Sequence, residues 1–313
     1  RDINMKVAVF GGSGFVGEYI INELLNSNFK PYILLRYGSQ SKVTRNKECK
    51  VITGDIDNKT AIEQTIMNVE AVIYNIGIIR EFKSHDITFK KLHYEGLVNC
   101  IEQAKKLNVK RFILMSANGV KKEGTEYQKT KFKAETYLKE SGLDWTIFRP
   151  SLIFGDPNGK IEFCTQLKKD MLSLPFPAPL FYNDFFPFNP GNFKMSPIHV
   201  GDVAKVFVKA LTKEETIHQT YKLGGENFTW KEIIKMIAIA SGNEEKLFIP
   251  APVFPVKIIA KLFDRFSWFP ISEEQIVMLV EGNICDSTKN FELFGIKKPK
   301  EFNLESLEYL KDA

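Results

Sequence analysis

VAVFGGSGFVGEYIINELL, residues 7–25, decides the fold. Four apolar residues of strand character run into glycines at positions 11, 12, 14 and 17, and the apolar residues that follow recur at helical spacing. Glycine permits a tight strand-to-helix turn and a close backbone approach, while the unpaired N–H groups and positive dipole end of the helix suit a pyrophosphate. The stretch therefore assigns Gly11, Gly12, Ser13, Gly14, Phe15, Val16 and Gly17 to a dinucleotide site. A glycine triplet alone is equally consistent with a merely tight turn. Its weight comes from its place at the opening of the chain, ahead of five further strand signals.

Those signals are YILL at 32–35, KVIT at 50–53, AVIYNIG at 71–77, RFILMS at 111–116 and WTIFRP at 145–150, separated by amphipathic stretches such as 92–107. Strands alternating with helices predict an α/β fold, a Rossmann-type doubly wound parallel sheet. The texture changes after Gly155. Residues 171–193 are dense in Pro and Phe and read as a long aromatic loop, a lid or docking surface unless its rings are core. A strand-like SPIHV at 196–200, a helix over 203–211, YKLGG at 221–225 and three helical stretches (229–242, 255–263 and 272–282) follow. The expected division is a Rossmann domain over 5–155 and a smaller C-terminal substrate or partner lobe over 156–313, with some segments returning to the Rossmann core.

At the end of the second strand, where an NAD site usually carries a carboxylate for the ribose hydroxyls, the chain reads LLRYGSQS and has no acidic residue between Pro31 and Thr44. Arg36 would attract a 2′-phosphate, so NADP(H) is favoured over NAD(H). Asp55 and Ile56, after the third strand, stand where an adenine edge could be met, and Gly77 closes the fourth strand with no side chain to obstruct a cofactor. Tyr127 and Lys131 in EYQKTKFKAE share one helix face, and of ten tyrosines only Tyr127 has a lysine four residues later. A nearby ammonium stabilises phenolate, which predicts a lowered tyrosine pKa suited to proton transfer at a carbonyl or alcohol. His199 with Asp202 reads as structural, beside a helix start, and His93 is left outside the site.

Together FGGSGFVG, YQKTK and FRPSLIFG resemble the extended or atypical short-chain dehydrogenase/reductase superfamily over nearly the whole chain. More narrowly, NIGIIREF, KLHYEGLVNCIEQAKKLNVKRFILMSANGV, GLDWTIFRPSLIFG and SPIHVGDVA resemble the branch of the NAD(P)H-binding accessory subunit of respiratory complex I and its bacterial relatives. The resemblance implies catalytic roles for Tyr127 and Lys131, and nicotinamide-side contacts at Arg149, Pro150 and Ser151. It also exposes a departure. Ser116 falls one residue before the usual catalytic serine, whose own position is Ala117, so substrate polarisation passes to Ser116, Asn118 or water.

Bulk properties exclude other classes. A net charge of +5, dispersed along 313 residues, lacks the basic stripe that nucleic acid needs. Cys49, Cys100, Cys164 and Cys285 form no metal-ligand spacing and suit a reducing compartment. With no secretory signal and no apolar run near bilayer length, the expectation is a cytoplasmic protein without a transmembrane segment. Peripheral contact at an inner membrane stays open, and PVKIIAKLFDRFSWF (255–269) is a candidate for it, with core packing favoured. Two functions compete: an oxidoreductase or epimerase acting on an apolar small molecule through the Tyr/Lys pair, and a weakly catalytic NADP(H)-binding accessory or assembly factor for a respiratory or quinone-related partner.

Overall fold

The alternation of short β-branched runs with amphipathic stretches forms the strands and helices it predicts. In the computed structural model, which describes residues 4–263 and 271–312, β1 (Lys6–Phe10), α1 (Phe15–Asn26), β2 (Lys30–Leu35), β3 (Lys50–Thr53), α2 (Lys59–Ile66), β4 (Ala71–Tyr74), α3 (Gly96–Lys106), β5 (Arg111–Met115), α4 (Glu126–Lys139) and β6 (Asp144–Pro150) follow in order. Then come β7 (Ile153–Phe154), α5 (Phe163–Leu167), β8 (Ala178–Tyr182), β9 (Lys194–Met195), β10 (Ile198–His199), α6 (Val200–Ala210), β11 (Gln219–Leu223), β12 (Phe228–Thr229), α7 (Trp230–Ala240), β13 (Phe248–Pro252), α8 (Val253–Phe263), α9 (Glu273–Glu281) and α10 (Thr288–Leu293).

The central sheet runs β11-β6-β5-β4-β1-β2-β3, and β1 pairs in parallel with β2 on one side and β4 on the other. Chain order therefore reverses between β1 and β4, and a doubly wound sheet opens its ligand crevice at the carboxyl ends of the strands there. The inner strands β1, β4 and β5 bury both faces. Ala8, Phe10, Val72 and Phe112 join a core with Ile62, Leu97, Ile101 and Leu138 of the helices α2, α3 and α4. Val7 and Val9, pointing the other way by strand alternation, are equally buried, and α1 packs against α6.

The chain divides into two compact units. The first holds residues up to Pro150 together with Val200–Lys222 and Thr288–Lys297, and the second holds Ser151–His199, Leu223–Ser287 and the stretch from Lys298 onward. Arg111 ties the returning segment of the first unit to the sheet. Its buried guanidinium donates to the Asp144 carbonyl at 2.8 Å, Thr146 Oγ1 at 2.8 Å, the Ala210 carbonyl at 2.6 Å and Thr216 Oγ1 at 2.9 Å. Burial pushes its pKa down to about 10, which leaves it charged at neutral pH.

The second unit gathers around Trp230, with Phe181 and Phe193 stacked on its ring and Phe163 edge-on. The aromatic stretch over 171–193 is not wholly loop: β8 lies within it and pairs in parallel with β13, a partner about 70 residues away that local patterning cannot reveal. His199 lies on β10, beside β7, with its ring edge-on to Phe154, and Asp202 is buried in the first turn of α6. Core packing of 255–263 is not what the structure has: α8 buries Val253 and Ala260 and leaves its large apolar residues exposed. Residues 264–269 of that stretch lie outside the described ones. Among the described residues, no helix is long and apolar enough to cross a membrane.

Arg111→Met should lower unfolding free energy in chemical denaturation by about 2–4 kcal/mol, because it orphans buried carbonyl and hydroxyl partners.

Candidate functional site

The glycines of the opening turn do different work. Gly11 has φ +92°, and a Cβ there would meet the backbone of Asn75 at 2.9 Å. A Cβ on Gly17 would stand 2.1 Å from the Gly11 carbonyl oxygen, so that glycine is required for α1 to sit on the turn. A Cβ on Gly12 would strike Ile21 at 2.7 Å. Gly14 is different, for its Cβ would meet only the Gly11 oxygen at an ordinary 3.5 Å. It is exposed and heads α1 with extended backbone, φ −81° and ψ 173°, so the first turn of α1 is bared where an anion could approach. Ser13, Phe15 and Val16 are half-buried around it, with Phe15 edge-on to Tyr19. This cradle, open at Gly14 and closed at Gly11, Gly12 and Gly17, fits a pyrophosphate.

Strand register places the other cofactor-side residues. Leu34 pairs with Phe10, so Arg36 leaves the sheet beside the glycine turn, and its side chain is exposed. Gly54 follows β3 and donates its N–H to the Leu35 carbonyl at 3.0 Å. Asp55 accepts the Ile56 N–H on its own Oδ1 at 2.7 Å, and Ile56 is buried against Gly96. Gly77, three residues past β4, has its Cα side turned to Lys131: a Cβ there would lie 3.4 Å from Nζ.

Helix α4 carries the proton-transfer candidates, and its start is fixed by a capping box in which Thr125 accepts the Gln128 N–H and Gln128 accepts the Thr125 N–H. Lys131 is buried and donates to the Met115 carbonyl at 3.0 Å, and burial pulls its pKa down to about 8. Tyr127 packs edge-on against Phe89 and His93. The expected lowering of its pKa is not what the structure gives. Burial pushes it up to about 12, since the ammonium that was to stabilise the phenolate is directed at Met115.

Two residues of this cluster stand outside the site expected from the sequence. His93 lies on a widened π-type turn, Lys90–Glu95, that leads into α3. It accepts the Ile78 N–H on Nε2 at 3.2 Å, which leaves Nδ1 facing Thr130 Oγ1 at 3.2 Å, and Thr130 donates onward to the Glu126 carbonyl. Burial, reinforced by the Lys131 charge, holds its pKa well below the usual histidine range. The second is Glu135, which continues the Tyr127 and Lys131 face at the next four-residue step, a spacing that was available in the sequence. Arg149 grips its carboxylate at 2.8 and 2.5 Å. Ser116, offered as a polarising hydroxyl, instead donates its hydrogen to Glu135 Oε1 at 2.5 Å.

The remaining expected residues divide. Asn118, half-buried, donates its backbone N–H to the Pro150 carbonyl at 2.9 Å, and Arg149 is taken by Glu135. Ser151 belongs to the second unit, where its hydroxyl donates to the Asn283 carbonyl at 2.7 Å and accepts the Ser196 N–H at 3.3 Å.

A family model described as NAD(P)H-binding matches residues 11–173 of this chain. The chain belongs to that family, within the extended short-chain dehydrogenase/reductase superfamily. Among curated relatives, the mitochondrial 40 kDa subunit of NADH-ubiquinone oxidoreductase from Neurospora crassa is 27% identical over 92% of this chain and 74% of its own length. Photosystem II assembly factor Ycf39 from Trieres chinensis is 24% identical over 97% of this chain and 91% of its own. The superfamily fold is shared with solved structures, including a Thermus thermophilus UDP-glucose 4-epimerase complexed with NAD, at TM-score 0.72 and 19% identity over 98% of each chain. The family match accounts for the first half of the chain and agrees with the cradle described above.

Two pairs of outcomes follow. Gly17→Ala should cost about 3 kcal/mol or more in stability through its clash with backbone, whereas Gly14→Val should cost about 1 kcal/mol as a poorer helix cap yet abolish nucleotide binding, read by thermal unfolding and titration calorimetry. Lys131 is protonated more readily unfolded than folded, so between pH 8 and 10.5 its contribution to stability rises with pH. At pH 7 the buried charge is a cost, and Lys131→Met should raise stability, by roughly 3 kcal/mol at most, while weakening nucleotide binding.

Proposed function

We propose that the crevice of the first unit takes NADP(H) in preference to NAD(H), and that the chain acts as a reductase, dehydrogenase or epimerase on a small carbonyl or alcohol compound. The observation that carries the reading is the approach of Lys131 to Gly77 and to the Met115 carbonyl beyond the carboxyl ends of β4 and β5, with Tyr127 four residues before Lys131 on α4, on the sheet whose β1 ends in the open glycine cradle. When bound, the nicotinamide supplies or accepts a hydride.

The chain's own residues do the rest. N–H groups at the start of α1 bind pyrophosphate, Arg36 pairs with the 2′-phosphate, and the Lys131 ammonium holds ribose hydroxyls. Asp55 and Ile56 flank the adenine, and Asn118 and Pro150 take the nicotinamide and substrate side. Tyr127 moves the proton at the substrate oxygen. With its pKa near 12 the phenol stays protonated at neutral pH, which favours giving a proton to a carbonyl over taking one from an alcohol. His93, neutral and fixed in one tautomer, supports the Tyr127 ring without competing for that proton.

A second reading, an NADP(H)-binding accessory or assembly factor for a respiratory or quinone-related partner, is favoured by Ala117 at the usual serine position and by the commitment of Ser116 to Glu135. The names of the complex I subunit and the photosystem assembly factor among the relatives point the same way.

Titration of NADPH and NADH should show the preference, with Arg36→Ala losing about 1–3 kcal/mol for NADPH alone. Equal affinities in the parent chain would overturn it. Against candidate ketones, quinones and nucleotide sugars, Tyr127→Phe should reduce turnover about 10²-fold with cofactor affinity nearly unchanged. Activity indifferent to that change would sink the mechanism. Tight nucleotide retention without turnover on any of these would establish the second reading.

A further inference from the structure

Helix α8 is built inside out. Taking 100° per residue, Phe254, Ile258, Leu262 and Ile259 span an arc of about 140° of its circumference. All four are exposed, Phe254 at 76% and Leu262 at 64%, while the small Ala260 and Val253 face inward. Between the buried seam and this arc, at about 20° and 60° from Phe254, stand Lys261 and Lys257. The stretch 246–263 holds three lysines and no Asp or Glu.

The apolar surface does not end with the helix. Strand β13 leads directly into α8, and the register that pairs Pro252 with Tyr182 starts the loop after β8 beside the first residue of α8. That loop presents Phe185, Phe186 and Phe188, 92%, 58% and 69% exposed, with their rings packed on one another and Asp184 as its one acid. Exposed bulky side chains clustered in this way are not the scattered apolar residues of an ordinary surface.

We infer that α8 and the Phe185–Phe188 loop form a docking surface for an anionic lipid bilayer, with α8 lying in the plane of the headgroups. An 11-residue helix is about 16 Å long, too short to span a bilayer but suited to embedding one apolar face. Lysines at the border of the arc extend their stems along the apolar surface and place their ammonium groups among lipid phosphates. A second copy of this chain fits poorly, because an isologous contact sets Lys257 and Lys261 opposite the same lysines with no carboxylate on the helix to neutralise them. Protein interfaces also deplete Lys, which this patch carries along the border of its apolar arc.

Vesicle co-sedimentation of the full chain tests this. The parent should bind phosphatidylcholine vesicles containing phosphatidylglycerol, and binding should weaken as salt is raised. The triple variant Phe254→Gln, Ile258→Gln, Leu262→Gln removes apolar anchors already in solvent, so it should melt like the parent yet partition at least about tenfold less. The double variant Lys257→Gln, Lys261→Gln should lose about tenfold on the anionic vesicles and little on phosphatidylcholine alone. The inference fails if the parent stays in the supernatant with anionic vesicles, or if parent and triple variant sediment alike. It fails equally if sedimentation velocity shows a dimer that the triple variant dissolves, which would give the surface to a second copy.

Discussion

The N-terminus of α1 can rest on the Gly11 carbonyl only because residue 17 has no side chain, and much of the first unit follows from that approach. A turn this tight aims α1 back across the sheet, where Ile20, Ile21 and Leu24 are fully buried and where α6 packs beside it. The same turn brings Gly11 against Asn75, which joins the ends of β1 and β4 at the reversal of strand order. Crevice and core are thus set by one steric condition. Gly14 is the exception, spared by the packing and open, which separates it from the glycines the fold needs.

Beyond β5 the controlling term is electrostatic. Lys131 is a buried cation with a carbonyl as hydrogen-bond partner, and Glu135, the carboxylate one turn on, has its oxygens engaged by Ser116 and Arg149. Burial without a close counter-charge depresses the lysine, helps to hold His93 neutral and leaves Tyr127 protonated. These three shifts are one phenomenon seen at three groups. A dry cluster of this kind is costly to the folded state and is the sort of strain that functional sites retain.

The fold was legible because its signals are local. Each strand from β1 to β6 announced itself by a short apolar run, and the glycine turn marked the passage from β1 into α1. What the sequence withheld depends on distant partners. The strand at 178–182 needs 248–252 to exist, so a Pro- and Phe-rich run reads as loop until its mate is known. The helix over 92–107 was visible, but not the π-type turn at its head that brings His93 beneath Tyr127. Tyr127 and Lys131 were found from spacing. The direction of the tyrosine shift was not, because spacing says that two groups share a face and nothing about whether the lysine points at the phenol or at Met115. Likewise the apolar residues of α8 looked like core, since hydropathy does not tell which side of a helix its neighbours cover.

The Ser116–Glu135–Arg149 chain connects these observations. In a site with a serine at position 117, a hydroxyl could polarise a substrate carbonyl while the tyrosine exchanged the proton. Here that position is Ala117, and the adjacent hydroxyl is turned into the protein, where its hydrogen completes a buried carboxylate otherwise held by Arg149. Freeing Ser116 for substrate would leave Glu135 Oε1 with the Arg149 Nε–H alone, a loss of one hydrogen bond to a charged group that costs of the order of 1.5–3 kcal/mol before any chemistry begins. On the enzymatic reading, then, polarisation rests on Tyr127 itself, a phenol kept protonated by its surroundings. A carbonyl oxygen meeting such a donor is helped most as negative charge grows on it, so the arrangement serves reduction better than oxidation, and it serves nucleotide retention with no chemistry at all equally well.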